Sequence, residues 1–382
     1  MENLQLIATC PMGLESIVSY ELKQLGYEDQ MTENGRVTFR ASLSDIPRTN
    51  LWLRTADRVL VKMGEFQATT FEALFEQTKA LPWPTWVPAH AEFPVQGRSQ
   101  KSQLSSVPAC QSIVKKAIVE KMKEAYRTDW FEETGPLYAI EVSLHKDVAT
   151  LTLDTTGPSL HKRGYRKLVT EAPIKETMAA ALVYISRWKP EWPLYDPFCG
   201  SGTIAIEAAM IGWNVAPGLR RSFPSEHWPI IPEEDWDTAR NEAYDAVNDD
   251  IPLQIGGSDI DASAIDIAIQ SAKSAGFSKE ISFKALPVHQ ASPHGHGGII
   301  ITNPPYGERI SEQREVESLI QELGKLHRRM QDWSTFAISP TKTFERHFGQ
   351  EANKRRKLYN GRIECQYYQY FNFPKKKKSD HS

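Results

Sequence analysis

The sequence has little cysteine: four residues in 382, at Cys10, Cys110, Cys199 and Cys365, far apart and with no CxxC pair. That spacing offers neither a zinc ligand set nor a disulfide framework, so no metal is expected and a reducing, cytoplasmic setting fits. No run of eighteen apolar residues occurs, and no membrane span is expected. Leu4–Ala8 is too short for the apolar region of a signal peptide and lacks a basic flank. Net charge is small as well, −3 from 45 basic and 48 acidic residues. A polyanion partner would have to meet a local patch, because there is no global field to attract it.

The chain is 40% hydrophobic and 24% charged, ordinary for a globular protein, and its length suggests two or three domains. The first 65 residues predict a small α/β unit. Leu4–Ala8 is strand-like, Leu14 to Leu25 repeat apolar residues at helical spacing, and Gly26 closes that helix. Val37–Phe39 and Leu60–Met63 are short strands. Residues 66–155 predict an α+β module: a helix over Phe71–Leu81, an edge strand over Glu92–Gly97 because it contains Pro94, a helix over Ile113–Tyr126, and paired strands over Tyr138–Leu144 and Ala149–Asp154.

From about residue 160 the pattern becomes strand, glycine-rich turn, helix, repeated. Such alternation predicts a parallel sheet covered by helices. Leu194–Tyr195 leads into a turn over 196–203, Leu253–Ser258 leads into Asp259, and Gly298–Thr302 ends at Asn303. Residues 213–252, with Trp213, Trp228 and Trp236, interrupt the alternation as an inserted cap. Arg356–Phe373 predicts a β-hairpin with an Asn360-Gly361 type I′ turn, and 374–382 a disordered basic tail.

Three motifs carry chemistry. Asp196-Pro-Phe198-Cys-Gly200-Ser201-Gly202-Thr203 joins a strand to a helix, where open α/β sheets bind ligands. Its glycines let the backbone approach a ligand, and its acid suits a cationic group. The competing reading is a tight strand-to-helix turn. The full GxGxxG is absent, and the next strand-end acid lies about 56 residues on, which disfavours a nicotinamide cofactor. That acid is Asp259 in Gly257-Ser-Asp259-Ile-Asp261, suited to ribose hydroxyls; Asp261 alternatively caps a helix. The sharpest signal is Thr302-Asn303-Pro304-Pro305-Tyr306-Gly307. An exocyclic amine is a poor nucleophile because its lone pair is delocalised into the ring. The amide oxygen of Asn303 and the carbonyl of Pro304 can each accept one N–H and localise that pair, while Tyr306 stacks on an extruded base. A proline-rich turn with a packed tyrosine is the alternative.

With these motifs in hand, residues 160–373 resemble a class I S-adenosylmethionine (SAM)-dependent methyltransferase of the Asn-Pro-Pro-Tyr amine subgroup. The whole chain is similar to the THUMP-domain RNA guanine-N2 methyltransferases, and to the amino-terminal half of the RlmL-type 23S rRNA enzymes. Ala8-Thr-Cys-Pro-Met-Gly-Leu-Glu15, Leu53-Arg-Thr-Ala-Asp-Arg58, His161-Lys-Arg-Gly-Tyr-Arg166 with Ala172-Pro-Ile-Lys-Glu176, and Lys357-Leu-Tyr-Asn-Gly361 carry that resemblance.

The resemblance implies a ferredoxin-like module at 1–65, a THUMP domain holding RNA at 66–155, and a Rossmann-like methyltransferase domain at 156–373 with a terminal hairpin. SAM is the implied cofactor. Asp196, Phe198, Gly200, Ser201, Gly202, Thr203, Asp259, Asp261 and Asn303 are its implied contacts, and Asn303, Pro304, Pro305 and Tyr306 the catalytic group. His161–Glu176 would help close the SAM pocket. One departure is Pro287, which stands where the family carries an acid for the adenine amine. The implied product is N2-methylguanosine in structured RNA, 23S rRNA first and tRNA second, made by a cytoplasmic monomer with no membrane association. Basic residues at 354–357, at 375–378 and on the 113–126 helix either contact phosphates or form solvated faces. Other amines remain open: guanine N2 in tRNA, adenine N6, or a protein glutamine. So does a non-catalytic RNA-binding assembly factor, which failure to bind SAM would favour.

Overall fold

A computed structural model of the chain describes residues 4–166, 174–307 and 310–372. Ala172, Pro173 and the 374–382 tail lie outside the described residues. The chain divides into two compact units, one of residues 1–10, 18–160 and 221–242, the other of 11–17, 161–220 and 243–382.

Through residue 160 the elements are β1 (Leu4–Thr9), α1 (Glu15–Gln24), β2 (Gln30–Glu33), β3 (Arg36–Ala41), α2 (Asp45–Trp52), β4 (Arg58–Gln67), α3 (Phe71–Lys79), α4 (Trp83–Trp86), β5 (Val95–Gln100), α5 (Val107–Tyr126), β6 (Ile140–His145) and β7 (Val148–Asp154). All seven strands form one sheet in the order β2-β3-β1-β4-β7-β6-β5. β4 is the reason. Its first residues pair with β1, and from Leu60 onward it pairs with β7, so one ten-residue strand serves both sequence segments. β5 is an edge strand and starts just after Pro94, where the missing N–H does no harm.

The remaining elements are α6 (Glu176–Ser186), β8 (Leu194–Asp196), α7 (Thr203–Gly212), α8 (Glu233–Asp245), β9 (Ile255–Asp259), α9 (Ala262–Ala275), β10 (Ile281–Ala285), β11 (Ile299–Thr302), α10 (Ile310–Arg329), β12 (Ser334–Ser339), α11 (Phe344–Phe348), β13 (Lys354–Asn360) and β14 (Ile363–Tyr370). Their sheet runs β10-β9-β8-β11-β12-β14-β13. The first five strands are parallel, and the hairpin joins β12 antiparallel. This is the parallel sheet that the alternation predicts, extended by the hairpin expected over Arg356–Phe373, in the Rossmann-like form that the resemblance implies. β11 is four buried residues, Ile299-Ile-Ile-Thr302, as a central parallel strand requires. One face of α10 buries Val316, Ile320, Leu323 and Leu326 against a core with Phe344, Phe348, Tyr368 and Tyr370. Strand order reverses between the neighbours β8 and β11, which makes their carboxyl ends the switch point of the sheet.

Two expectations need correcting. Residues 213–252 do not act as one cap. Trp213 stays with the second unit, its indole N–H donating to the Ile251 carbonyl at 2.9 Å. Residues 221–242 belong to the first unit: Trp228 stacks on Tyr138 with centroids 4.2 Å apart, and its N–H donates to the Leu137 carbonyl. The hairpin turn is also different. Asn360 pairs with Ile363, so the two-residue loop is Gly361-Arg362, and only Gly361 has a positive φ, +62°. A type I′ turn needs both central residues positive; this φ pattern is that of type II′.

Candidate active site

Two strand ends meet at the switch point. β8 delivers Asp196 and β11 delivers Thr302, and the Thr302 hydroxyl donates to Asp196 Oδ1 at 2.6 Å. The Phe198 N–H donates to the same oxygen at 3.1 Å. Thr302 therefore ties the aspartate turn to the Asn-Pro-Pro-Tyr turn, a link the sequence does not display. Asp196 is buried, which pushes its carboxyl up to about 7; the nearby Asp259 adds to this, while the bonds from Thr302 and Phe198 oppose it.

The turn after β8 is tightly specified. Gly200 and Gly202 adopt φ of +48° and +79°, the left-handed region that glycine enters without a steric penalty. A Cβ on Gly202 would lie 2.7 Å from Phe283 Cζ, so packing alone demands glycine there. A Cβ on Gly200 would meet nothing within 4 Å. The peptide at Gly200 thus borders open space, room for a ligand to lie against the backbone. Its N–H donates to Asp259 Oδ2 at 2.9 Å, and Asp259 Oδ1 accepts the Asp261 N–H at 3.0 Å. Two backbone donors fix this carboxylate at the end of β9. Beside it stands Ile260, 78% exposed, an apolar side chain left in the open.

The other expected cofactor residues are placed as follows. Asp261 caps α9: its Oδ1 accepts the Ser263 N–H at 2.8 Å and the Ser263 hydroxyl at 2.6 Å, and these bonds lower its pKa. The helix-cap alternative therefore describes what Asp261 does in this fold. Ser201 and Thr203 are buried, and the Thr203 hydroxyl accepts a bond from Arg166. Phe198 is half-buried. Pro287 opens a short turn after β10, and Leu286 there donates to the Asp259 carbonyl at 2.8 Å.

Past β11, Pro304 is buried, Pro305 exposed, and Tyr306 partly buried. Among the described residues, Asn303 Oδ1 is buried with no hydrogen-bond partner. An unmatched buried acceptor costs roughly 1–3 kcal/mol, so it marks a position where a donor is wanted. The sequence points to Asn303, but not to its unsatisfied oxygen. The hydroxyl of Tyr306 accepts from Asn360 Nδ2 at 3.0 Å.

Within His161–Arg166, Arg163 and Tyr165 are buried and meet α7, while Lys162 and Gly164 are exposed. Arg163 meets Glu207 through Nε and a terminal nitrogen at 3.3 and 3.2 Å, and the Tyr165 hydroxyl donates to the same carboxylate at 3.2 Å. Arg166 pairs with Glu176 at 3.4 Å. Among the described residues several of the basic side chains are matched with acids, Lys375–Lys378 lying outside them. Lys115 pairs with Glu133, Lys123 with Glu120, Lys121 with Glu124, Arg355 with Glu345 and Lys357 with Glu364. Among the described residues, no helix is long and apolar enough to cross a membrane.

The residues present suit a SAM-type ligand: a glycine turn bordering open space, a fixed strand-end carboxylate beside an exposed isoleucine, and a buried acid suited to an ammonium. Comparison with known proteins points the same way. Residues 163–369 match a model described as an RMKL-like methyltransferase domain, 5–60 an RlmL ferredoxin-like domain, and 68–154 a THUMP domain. A Bacillus subtilis protein named "Putative RNA methyltransferase YpsC" is 48% identical over the full length of both chains. The ribosomal RNA large subunit methyltransferase K/L of Syntrophotalea carbinolica is 34% identical over 95% of this chain, which spans 53% of that longer protein. A crystal structure described as "SMU.472, a putative methyltransferase complexed with SAH" superposes with a TM-score of 0.93 at 43% identity, over 98% of this chain and 100% of that one.

Proposed function

The chain belongs to the RMKL-like methyltransferases that carry an RlmL ferredoxin-like domain and a THUMP domain, and on that premise we propose that it methylates the N2 amine of a guanosine in RNA, with 23S rRNA the first candidate substrate. Its cofactor is S-adenosylmethionine. The observation that carries the reading is the buried Oδ1 of Asn303 at the switch point, unpartnered among the described residues.

SAM, when bound, supplies an electrophilic methyl carbon on a sulfonium sulfur. In this reading residues 66–155 capture the RNA and 156–373 perform the transfer. Asp196 takes the ammonium of the methionine moiety, Phe198, Gly200, Ser201, Gly202 and Thr203 form the turn around it with Gly200 giving access, and Asp259 takes the ribose hydroxyls. Asp261 supports that site by capping α9. Asn303 Oδ1 and the Pro304 carbonyl accept the two N–H groups of the amine, which localises and aims its lone pair. Tyr306 stacks on the flipped base, worth on the order of 1–3 kcal/mol. The amine proton leaves to water after transfer.

The identifying experiment gives the purified protein labelled SAM and total RNA from a strain lacking its gene, then digests the RNA to nucleosides. We expect label in N2-methylguanosine within a 23S fragment. Label in N6-methyladenosine would move the assignment to adenine, and label in tRNA would move the substrate. An inert protein that fails to bind SAH would favour a non-catalytic assembly factor.

Asp196 makes a second prediction. Its carboxyl titrates near 7 in the fold and near 3.8 when unfolded, so ionisation is opposed by the fold. The contribution of Asp196 to the stability of the ligand-free protein should therefore fall as pH rises from about 4 to about 7 and level off above, read as the difference between wild-type and Asp196→Asn melts. Cofactor affinity has the opposite sign, because an ammonium ligand binds the ionised form. Calorimetry should show SAH binding about tenfold tighter at pH 8 than at pH 6, the ratio of ionised fractions for a group titrating at 7. Asp196→Asn should be weaker and flat with pH. A flat wild-type profile would remove Asp196 from the ammonium site.

A further inference from the structure

We propose that Asn360, at the end of β13, is a positioning residue for methyl transfer: it holds the Tyr306 hydroxyl and so makes the C-terminal hairpin part of the base site. This rests on the proposed base-stacking role of Tyr306. The segment Lys357-Leu-Tyr-Asn-Gly361 stands out in the sequence, yet neither the cofactor site nor the amine motif uses it. A turn does not account for its asparagine. Asn360 is a strand residue paired with Ile363, its φ is not positive, and the left-handed position of the loop is taken by Gly361. Its side chain reaches across 54 residues of sequence, Nδ2 donating to the Tyr306 oxygen at 3.0 Å. The thiol of Cys365, on the facing strand β14, lies 3.7 Å from the same oxygen.

Tyr306 is thus held at both ends. Its backbone follows the Pro304-Pro305 pair, whose rings restrict φ, and its hydroxyl is bonded to the hairpin. Burial at that end raises the phenol pKa, so the hydroxyl stays protonated. A protonated phenol that accepts from Asn360 is a fixed anchor for its ring. Stacking needs the ring plane set before the base arrives, and a ring swinging about one anchor would lose part of each encounter. The hydroxyl in Asn-Pro-Pro-Tyr has a task here that phenylalanine could not perform.

The test uses the full chain with 3-fluorotyrosine incorporated, the 306 resonance being identified by its loss in Tyr306→Phe. We expect Asn360→Ala to shift or broaden that resonance, to lower kcat on RNA at least fivefold, and to leave the KM for SAM and the SAH affinity within twofold. Tyr306→Phe should lower kcat at least as much, and Asn360→Ala/Tyr306→Phe should lose no more than Tyr306→Phe alone, since that variant already lacks the Asn360 bond. An unmoved resonance, or losses that multiply in the double variant, would overturn the proposal. If the wild-type protein labels no RNA, the proposed function fails, while the fluorine signal still decides whether Asn360 holds Tyr306.

Discussion

Asn303→Ala is expected to reduce methyl transfer by at least two to three orders of magnitude, a loss larger than any weakening of SAH binding, while leaving RNA capture and thermal stability near wild type. The magnitude is that of removing one preorganised polar contact to the reacting group in a desolvated site, about 10²–10³ in kcat. The stability half of the prediction is the discriminating one. Ordinary buried asparagines hold the fold together, and truncating them strands a partner. Here the Oδ1 atom is buried and has no partner among the described residues. Deleting it removes an unmet acceptor, so the melting temperature should stay level or rise slightly. Asn303→Asp keeps an acceptor oxygen in nearly the same volume but replaces the amide nitrogen with a second oxygen and buries a charge, and should retain a fraction of the activity with lower stability. Single-turnover transfer to labelled RNA, SAH calorimetry and a thermal melt together decide the matter. An alanine variant that melts well below wild type while turning over normally would make Asn303 a structural residue.

The site was legible where chemistry forces residue type and left hidden where it depends on who sits beside whom. Strand-turn-helix spacing was enough to place Asp196, Gly200 and Gly202, and two prolines after an apolar strand were enough to place Asn303. Their meeting at one switch point follows from the strand order, which local periodicity predicts only as a class. The Thr302–Asp196 bond spans 106 residues, and no local pattern announces it. Ile260 was passed over because a lone isoleucine in sequence says nothing about exposure. Asn360 was misjudged for a specific reason: Asn-Gly between strands usually means a type I′ turn, and here pairing with Ile363 moved the loop on by one residue. β2, Gln-Met-Thr-Glu, is a short polar edge strand that only its partner β3 defines. Residues 221–242 lie in sequence amid the wound pattern yet build into the first unit through Trp228, an assignment composition cannot make.

Breaking the Arg163–Glu207 pair should be the largest stability change available near the site. Both side chains are essentially solvent-free, at 1% and 0% exposure, and the contact is two-pronged. A buried ion pair contributes little over an apolar replacement, but removing one partner strands the other's charge at a cost of roughly 3–5 kcal/mol. Glu207→Ala removes the carboxylate that the Arg163 guanidinium and the Tyr165 hydroxyl share, leaving the charge of Glu176 to act on Arg163. At about 2–4 °C per kcal/mol for a unit of this size, the melting temperature should fall by roughly 6–20 °C. Arg163→Met alone leaves the carboxylate instead and should cost a comparable amount. In Arg163→Met/Glu207→Leu neither charge remains, so the double variant should lose distinctly less than the sum of the singles. The consequence for function follows from position. Glu207 sits one turn into α7, the helix that Gly200 and Gly202 open, and Arg163 belongs to the segment whose Arg166 bonds Thr203 at the first residue of that helix. Loosening the pair should therefore weaken SAH binding in the single variants even at temperatures where they remain folded. Additive melting losses in the double variant would mean that the two charges are held by other groups and that the pair is not what seats the segment on α7.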